Sequence, residues 1–197
     1  MVRSVLLASV VTTAAVLAAC TTGPGERWVA TARVAGVVVD EMDFDISSIG
    51  YSASGEVDYS SLDIGIGATR MRSQGEGAPE KKIDTAEITI GIAEFDTVDA
   101  IEFGGGGRWY FAQGDSFSPY ASLYAVSTVI EEIGGVDPGV QLGARLGAGV
   151  QIDLGDTMFF DAGIDYTIPI VAAESDTGNV DTEFDGFAVR IGFGVYF

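Results

Sequence analysis

Gly186 to Phe197 reads GFAVRIGFGVYF. Taking every second residue puts Phe187, Val189, Ile191, Phe193, Val195 and Phe197 in one row, and Ala188, Arg190, Gly192, Gly194 and Tyr196 in the other. A period of two is that of a β-strand, and here one row is wholly apolar. The same period runs back through the chain. Val140, Leu142, Ala144, Leu146, Ala148, Val150, Ile152 and Leu154 form an unbroken apolar row against Gln141, Gly143, Arg145, Gly147, Gly149, Gln151 and Asp153. After a tight LGDT turn, Phe160, Ala162, Ile164, Tyr166, Ile168 and Ile170 oppose Asp161, Gly163, Asp165 and Thr167.

Five further stretches follow the pattern. Trp28, Ala30, Ala32, Val34 and Val38 share a row opposite Thr31 and Arg33, and this strand runs into DEMDFD, whose Asp40, Glu41, Asp43 and Asp45 cannot lie in hydrocarbon. Ser47 to Glu56 is loop-like. Leu62, Ile64, Ile66 and Ala68 then oppose Asp63, Gly65, Gly67 and Thr69, with a phase slip near Ser60 and Ser61 that suggests a bulge or a late strand start. Beyond a hydrophilic connector from Arg70 to Lys82, Ala86, Ile88, Ile90 and Ile92 oppose Glu87, Thr89 and Gly91. From Ala100 to Ala112, Ile101, Phe103, Trp109 and Phe111 oppose Glu102, Arg108 and Tyr110. Gly104 to Gly107 interrupts that strand with four glycines, a run that asks for a close approach or a sharp bend. Ser118 to Glu131 sets Leu123, Ala125 and Val129 against Tyr120, Ser122, Tyr124 and Thr128. Val171 to Asp185 reads as a long acidic loop before the last strand.

Eight strands, each with one apolar row and one row of Gly, Gln, Arg and Asp, imply an all-β fold: a single eight-stranded antiparallel up-and-down transmembrane β-barrel with apolar side chains toward lipid. Closure answers the backbone problem, because an open sheet edge in hydrocarbon would leave N–H and C=O groups unpaired. The competing reading is a soluble barrel of the lipocalin sort, apolar inside and polar outside. The glycine-heavy polar rows suit a crowded narrow interior better than a wet exterior.

In 197 residues, 10 Lys and Arg against 29 Asp and Glu give a formal charge of −19, so nucleic acid is excluded as a partner and cations or basic surfaces are favoured. Such acidity beside 47% hydrophobic residues is hard to reconcile with a soluble globule. There is no histidine, which removes Ser-His-Asp and Cys-His catalysis and imidazole-bound zinc. The single cysteine, Cys20, excludes an internal disulfide and a thiolate metal cluster. No cofactor is implied, and the chain reads as non-enzymatic.

Arg3 and the apolar run Val5 to Ala19 read as a signal peptide over residues 1–19. Leu17-Ala18-Ala19-Cys20 resembles a bacterial lipobox, which implies a lipid on Cys20, a tether over 20–27 and a barrel over 28–197. The terminal Tyr196-Phe197 resembles the C-terminal signal by which the barrel-assembly machinery recognises outer-membrane proteins. In strand number, alternation and terminal aromatic the chain resembles small outer-membrane barrels of the OmpA, OmpX and OmpW type. The resemblance implies the bacterial outer membrane, contact with its lipid and lipopolysaccharide, and both termini in the periplasm. On that topology the outward loops collect Asp40 to Asp45, Glu56, Asp58, Glu94, Asp96, Asp99, Glu131, Glu132, Asp137 and the acids of 174–185 with no Lys or Arg, whereas the basic connector falls on the periplasmic side.

The alternation also nominates site residues. Arg33, Asp63, Glu87, Arg108, Arg145, Asp161, Asp165 and Arg190 sit in the polar rows, where charges must pair or be hydrated. They read as an internal network that fills the barrel, with a narrow channel or carrier for a small or apolar solute as the alternative. Asp161 and Asp165 have no nucleophile or oxyanion device beside them in sequence, and Gly104 to Gly107 lacks the Lys-Ser/Thr and helix of a phosphate loop. Trp28, Trp109, Phe111, Tyr166 and Phe197 read as interfacial anchors. The clusters DEMDFD and DTGNVDTEFDG offer hard oxygen atoms to divalent cations at the outer loops, without the spacing of an EF-hand.

Overall fold

Each alternating stretch becomes one strand of a closed wall. The computed structural model describes residues 25–46, 51–72, 81–95, 98–114, 116–130, 140–171 and 180–197. Cys20, the signal segment 1–19 and most of the tether lie outside them. The strands are β1 (Glu26–Ile46), β2 (Tyr51–Arg72), β3 (Lys81–Phe95), β4 (Val98–Tyr110), β5 (Phe117–Ile130), β6 (Val140–Asp153), β7 (Met158–Val171) and β8 (Val180–Tyr196). Every strand pairs antiparallel with its neighbour in sequence, and β1 closes on β8. Both ends of the wall meet where Val29 faces Tyr196 and the Phe197 amide donates to Trp28 O. This is the terminal end of the barrel; the opposite end is the far rim.

The two rows of each strand separate as the alternation requires. Ile92 is 63% exposed and Ile170 68%, while Arg33 and Glu87 in the other rows are 5% and 2% exposed. Even the weakly alternating β5 obeys: Leu123 and Ala125 are exposed, and Tyr120, Ser122, Tyr124 and Thr128 are buried. An apolar belt outside charged side chains inverts the soluble arrangement and rules out the lipocalin-like alternative. The belt takes a hydrocarbon solvent.

Strand ends differ most from the sequence expectation. Tyr51 to Glu56 is part of β2 rather than loop, Val180 to Asp185 is part of β8, and β1 continues through DEMDFD to Ile46. The basic connector shrinks likewise, since Arg70 to Arg72 belong to β2 and Lys81 and Lys82 to β3. β1 begins at Glu26, inside the expected tether, and β4 stops at Tyr110. Hydrocarbon dictates which side chains a strand carries, but a strand needs only a paired neighbour to continue into water.

The phase slip at Ser60 and Ser61 has the same origin. Pairing of β2 with β3 runs unbroken from Tyr59 to Arg70, so no bulge stands there. Instead the outer row changes from apolar to polar where the strand leaves hydrocarbon: Leu62 gives way to Ser60, Ile92 to Glu94 and Ile101 to Asp99. Ser60 faces Glu94 and Glu94 faces Asp99, which marks one edge of the membrane around that side of the wall. The true register shifts lie elsewhere. β1 has one residue more between Val39 and Met42 than β2 sets opposite it, β3 has an extra residue, Ile83, between Lys82 and Asp84, and β7 has an extra residue, Ile170, beside Pro169.

Glycine makes room at two functional places. At Gly106 a Cβ would fall 2.1 Å from the backbone oxygen of Leu123, so the glycine run lets β5 close tightly on β4. At Gly194 a Cβ would fall 2.0 Å from the Phe159 ring. Phe159, 1% exposed, points inward there, packs against the Tyr196 ring at 5.0 Å and, with Val29, closes the terminal end with an apolar stopper.

Candidate functional site

The interior is where the sequence places its paired charges. Glu87 on β3 is the centre: Arg33 Nη2 on β1 lies 2.5 Å from both carboxylate oxygens, Arg108 Nη2 on β4 donates at 3.0 Å, Tyr124 OH on β5 donates at 3.0 Å, and Thr31 donates from β1. Arg108 continues the line, its Nη1 reaching Asp161 on β7 at 2.5 Å while its guanidinium lies 5.1 Å from the Tyr120 ring centre. The Tyr120 hydroxyl donates to Asp161 at 2.9 Å. The sequence Arg33, Glu87, Arg108, Asp161 therefore crosses the lumen from β1 to β7 with alternating sign.

Two further clusters lie beside it. Arg190 on β8 bridges Asp63 on β2 and Asp165 on β7. Arg145 on β6 holds Glu102 on β4 at 2.8 and 3.0 Å and donates from Nε to Thr167 at 3.2 Å. The eight charged residues nominated from sequence are all buried and all fall in these three clusters.

Sequence reasoning left out two members. Glu102 was placed on the inner row but not among the network, although Arg145 has it as its carboxylate partner. Lys82 was lost in the connector; it is 4% exposed, its Nζ lies 2.5 Å from Asp153 and donates to Ser118 at 3.2 Å, and its backbone is clasped by the Gln113 side chain. Alternation could not have found Lys82: it stands five residues before Glu87, out of phase with the inner row, and β3 has an extra residue, Ile83, between Lys82 and Asp84 where its register with β2 shifts. Below this layer Tyr110 donates to Gln151 at 2.8 Å, and Gln151 donates to Tyr196.

Pairing is the physical requirement here, since a lone charge withdrawn from water costs several kcal/mol. Each of these carboxylates meets a guanidinium and Glu87 meets two, an arrangement suited to filling and stiffening a barrel. The free space left among Arg33, Asp63, Arg108, Arg145, Asp161, Asp165 and Arg190 is about 20 Å³, the scale of a single water molecule. Of the two expected terminal signal residues, Tyr196 is buried in the stopper and Phe197 is 69% exposed.

The far rim is the second candidate. β1, β2 and β8 continue past the membrane edge as a three-stranded sheet, in which Glu41, Asp43 and Asp45 face Asp185, Glu183 and Asp181 directly across the ladder. On β3 and β4, Glu94 and Asp99 are exposed. The acids at 131, 132, 137, 174 and 176 lie outside the described residues.

No protein-family model matches the chain, and no curated protein matches it. Solved structures do. Neisserial surface protein A is 16% identical with a TM-score of 0.58, over 88% of this chain and 100% of that one. The N-terminal β-barrel domain of Pseudomonas aeruginosa OprF is 16% identical with a TM-score of 0.52, over 89% and 100%. The outer membrane protein AlkL, solved in lipid bilayers, is 13% identical with a TM-score of 0.51, over 90% and 93%. At these identities the likeness concerns the fold, and the fold is that of small eight-stranded bacterial outer-membrane β-barrels.

Proposed function

We propose that this outer-membrane barrel is plugged and non-enzymatic, and that it works by its outer surfaces: it reinforces the membrane and meets cations or partners through its acidic far rim. The observation that carries this reading is the line Arg33, Glu87, Arg108 and Asp161, which spans the lumen between β1 and β7 with Arg145 and Arg190 beside it. A lumen filled in this way leaves the belt, the two ends and the rim as the parts available for work. The lack of histidine and the engagement of the inner carboxylates by arginine speak against catalysis.

The partners follow from the surfaces. The belt contacts outer-membrane lipid. With the terminal end in the periplasm, the rim lies among lipopolysaccharide headgroups, and divalent cations bridge its carboxylates to their phosphates. Tyr196 and Phe197 serve the assembly machinery, and a lipid on Cys20 anchors the start of the mature chain on the same side. Nucleic acid is repelled.

Reconstitution into planar bilayers tests the plug. No discrete conductance steps are expected; steps that persist at several voltages would install a narrow channel in place of this reading. Two further checks address assembly. The unboiled protein should migrate faster than the boiled protein on a gel, and deletion of Phe197 should abolish assembly in cells.

A further inference from the structure

Asp63 on β2, Arg190 on β8 and Asp165 on β7 form the one interior cluster, among the described residues, in which acids outnumber bases. Arg33, Glu87, Arg108 and Asp161 stand two against two, Arg145 and Glu102 one against one, and Lys82 and Asp153 one against one. Arg190 alone serves both aspartates. The ladder explains how one side chain reaches so far. Arg190 faces Gly163 on β7 and Ala35 on β1, and Ala35 faces Ser61 on β2, so its neighbours in the row are small and leave room to reach Asp165 on one side and Asp63 on the other. Every Lys and Arg of the chain except Arg3 lies among the described residues, so the count of interior bases is complete but for that one.

The excess carboxylate has no water to keep it charged. Asp63 is 3% exposed and Asp165 9%, and the free space they both border is about 20 Å³, room for a single water molecule. The neighbours cannot supply the missing charge either. Arg33 from β1 is bonded to Glu87 on β3, Arg108 from β4 to Glu87 and Asp161, and Arg145 from β6 to Glu102, while Tyr120 and Tyr124 from β5 donate to Asp161 and Glu87. A carboxylate withdrawn from water without a partner of its own neutralises by taking up a proton, and two that share a site hold one proton between them. A separate observation agrees. Ser61, next to Asp63 in the inner row of β2, is 4% exposed, and its hydroxyl oxygen has no hydrogen-bond partner. An orphaned buried oxygen calls for a donor, and a carboxylic acid is the donor its row can offer.

We infer that Asp63 and Asp165 together bind one monovalent cation across Arg190, and that this cation is a proton. The inference rests on the plugged-lumen reading above and completes its charge balance. An alkali-metal ion fits the place poorly, because it needs a shell of oxygen ligands and the free space is bordered by the guanidiniums of Arg33, Arg108, Arg145 and Arg190. Loss of the proton leaves two negative charges on one guanidinium, away from water. The plug is thereby coupled to pH. The folded lumen keeps a proton that the exposed carboxylates of the unfolded chain have lost, so the folded state binds one proton more and its stability falls as pH rises. No histidine titrates in the same range.

The test uses the full chain folded in micelles of a detergent without carboxyl or ester groups. Infrared spectra at neutral pH should show the C=O stretch of one protonated carboxyl group. The band should be missing from Asp63→Asn and from Asp165→Asn, in each of which Arg190 keeps a single aspartate. In urea titrations between about pH 5 and 8, the unfolding equilibrium constant of the parent should rise about tenfold per pH unit. It should stay flat in both variants, each checked for folding by its gel shift. A band or a slope that survives in either variant would place the proton on another carboxylate and overturn the assignment. Absence of both from the parent, with stability that depends on sodium or potassium at constant ionic strength, would give the site to an alkali-metal ion. Absence of all three would mean a charged, hydrated pair and would overturn the cation altogether. The parent's band and slope decide even where neither variant folds. Conductance steps in planar bilayers beside a persisting band would overturn the plug alone.

Discussion

The lumen and the far rim are both dense in carboxylates, yet they are built by opposite rules. Inside, acids and bases alternate across the space, as in Arg33, Glu87, Arg108 and Asp161. On the rim, Glu41, Asp43 and Asp45 face Asp185, Glu183 and Asp181 with no base among them. A withdrawn charge has little but its partner to stabilise it, whereas a charge in water keeps its hydration and is screened within about 8 Å at physiological salt. Interior charges are therefore constrained by stability, and rim charges are left open to selection for contact with other molecules.

The largest break in this contrast is expected at Glu87. Glu87→Ala takes from Arg33 its carboxylate partner and leaves Arg108 with Asp161 alone, and it should lower the unfolding free energy by about 3–5 kcal/mol, read from urea titrations in micelles with the gel shift as the probe. A loss below about 1 kcal/mol would mean that water enters and hydrates the arginines, which would weaken the plug as well. Arg145→Met should cost about as much, because Glu102 is then buried without its guanidinium. The double variant Arg145→Met/Glu102→Met should recover most of that loss, since replacing both members of a buried pair by apolar groups is often neutral. Failure to recover would show that Thr128 and Thr167, which bond to this pair, depend on its charge.

A smaller effect is expected at the stopper. Gly194→Ala drives a methyl group into the Phe159 ring and should cost about 1–3 kcal/mol. Phe159→Leu in the same chain should relieve most of it if the contact is the cause. Because the stopper is apolar, this loss should not change with salt.

Much of the barrel was legible because hydrocarbon enforces alternation residue by residue. Val140 to Leu154 and Gly186 to Phe197 spell their facing outright, and the charges of the polar rows went inward as the period required. What stayed hidden was set by partners rather than by solvent. Strand ends beyond the membrane edge depend on β1 finding β2 and β8, and the shift between Val39 and Met42 that aligns the acids is visible only in the ladder. Lys82 was hidden for a related reason: its Asp153 partner is 71 residues away and nothing local marks the pair. Phe159 was hidden because an aromatic in a polar row makes sense only once Gly194 is known to lie against it.

The smallest effect is expected on the rim, and there its sign matters more than its size. Neutralising Asp181, Glu183 and Asp185 removes three direct oppositions of like charge with Asp45, Asp43 and Glu41. Like pairs across a ladder are unfavourable by roughly 0.2–1 kcal/mol each in favourable geometry, and screening shrinks this further at the surface. The triple neutral variant should therefore be as stable as the parent or slightly more so at low salt, and the difference should vanish as salt is raised. A clear loss of stability at any salt would mean that these carboxylates are held by a bound cation or by neighbouring donors, and the contrast between a lumen of alternating sign and a uniformly acidic ladder would fail. If the gain appears and fades with salt, the protein keeps six acids in register at some cost to its own stability. Such a cost is what selection for binding, rather than for folding, would leave behind.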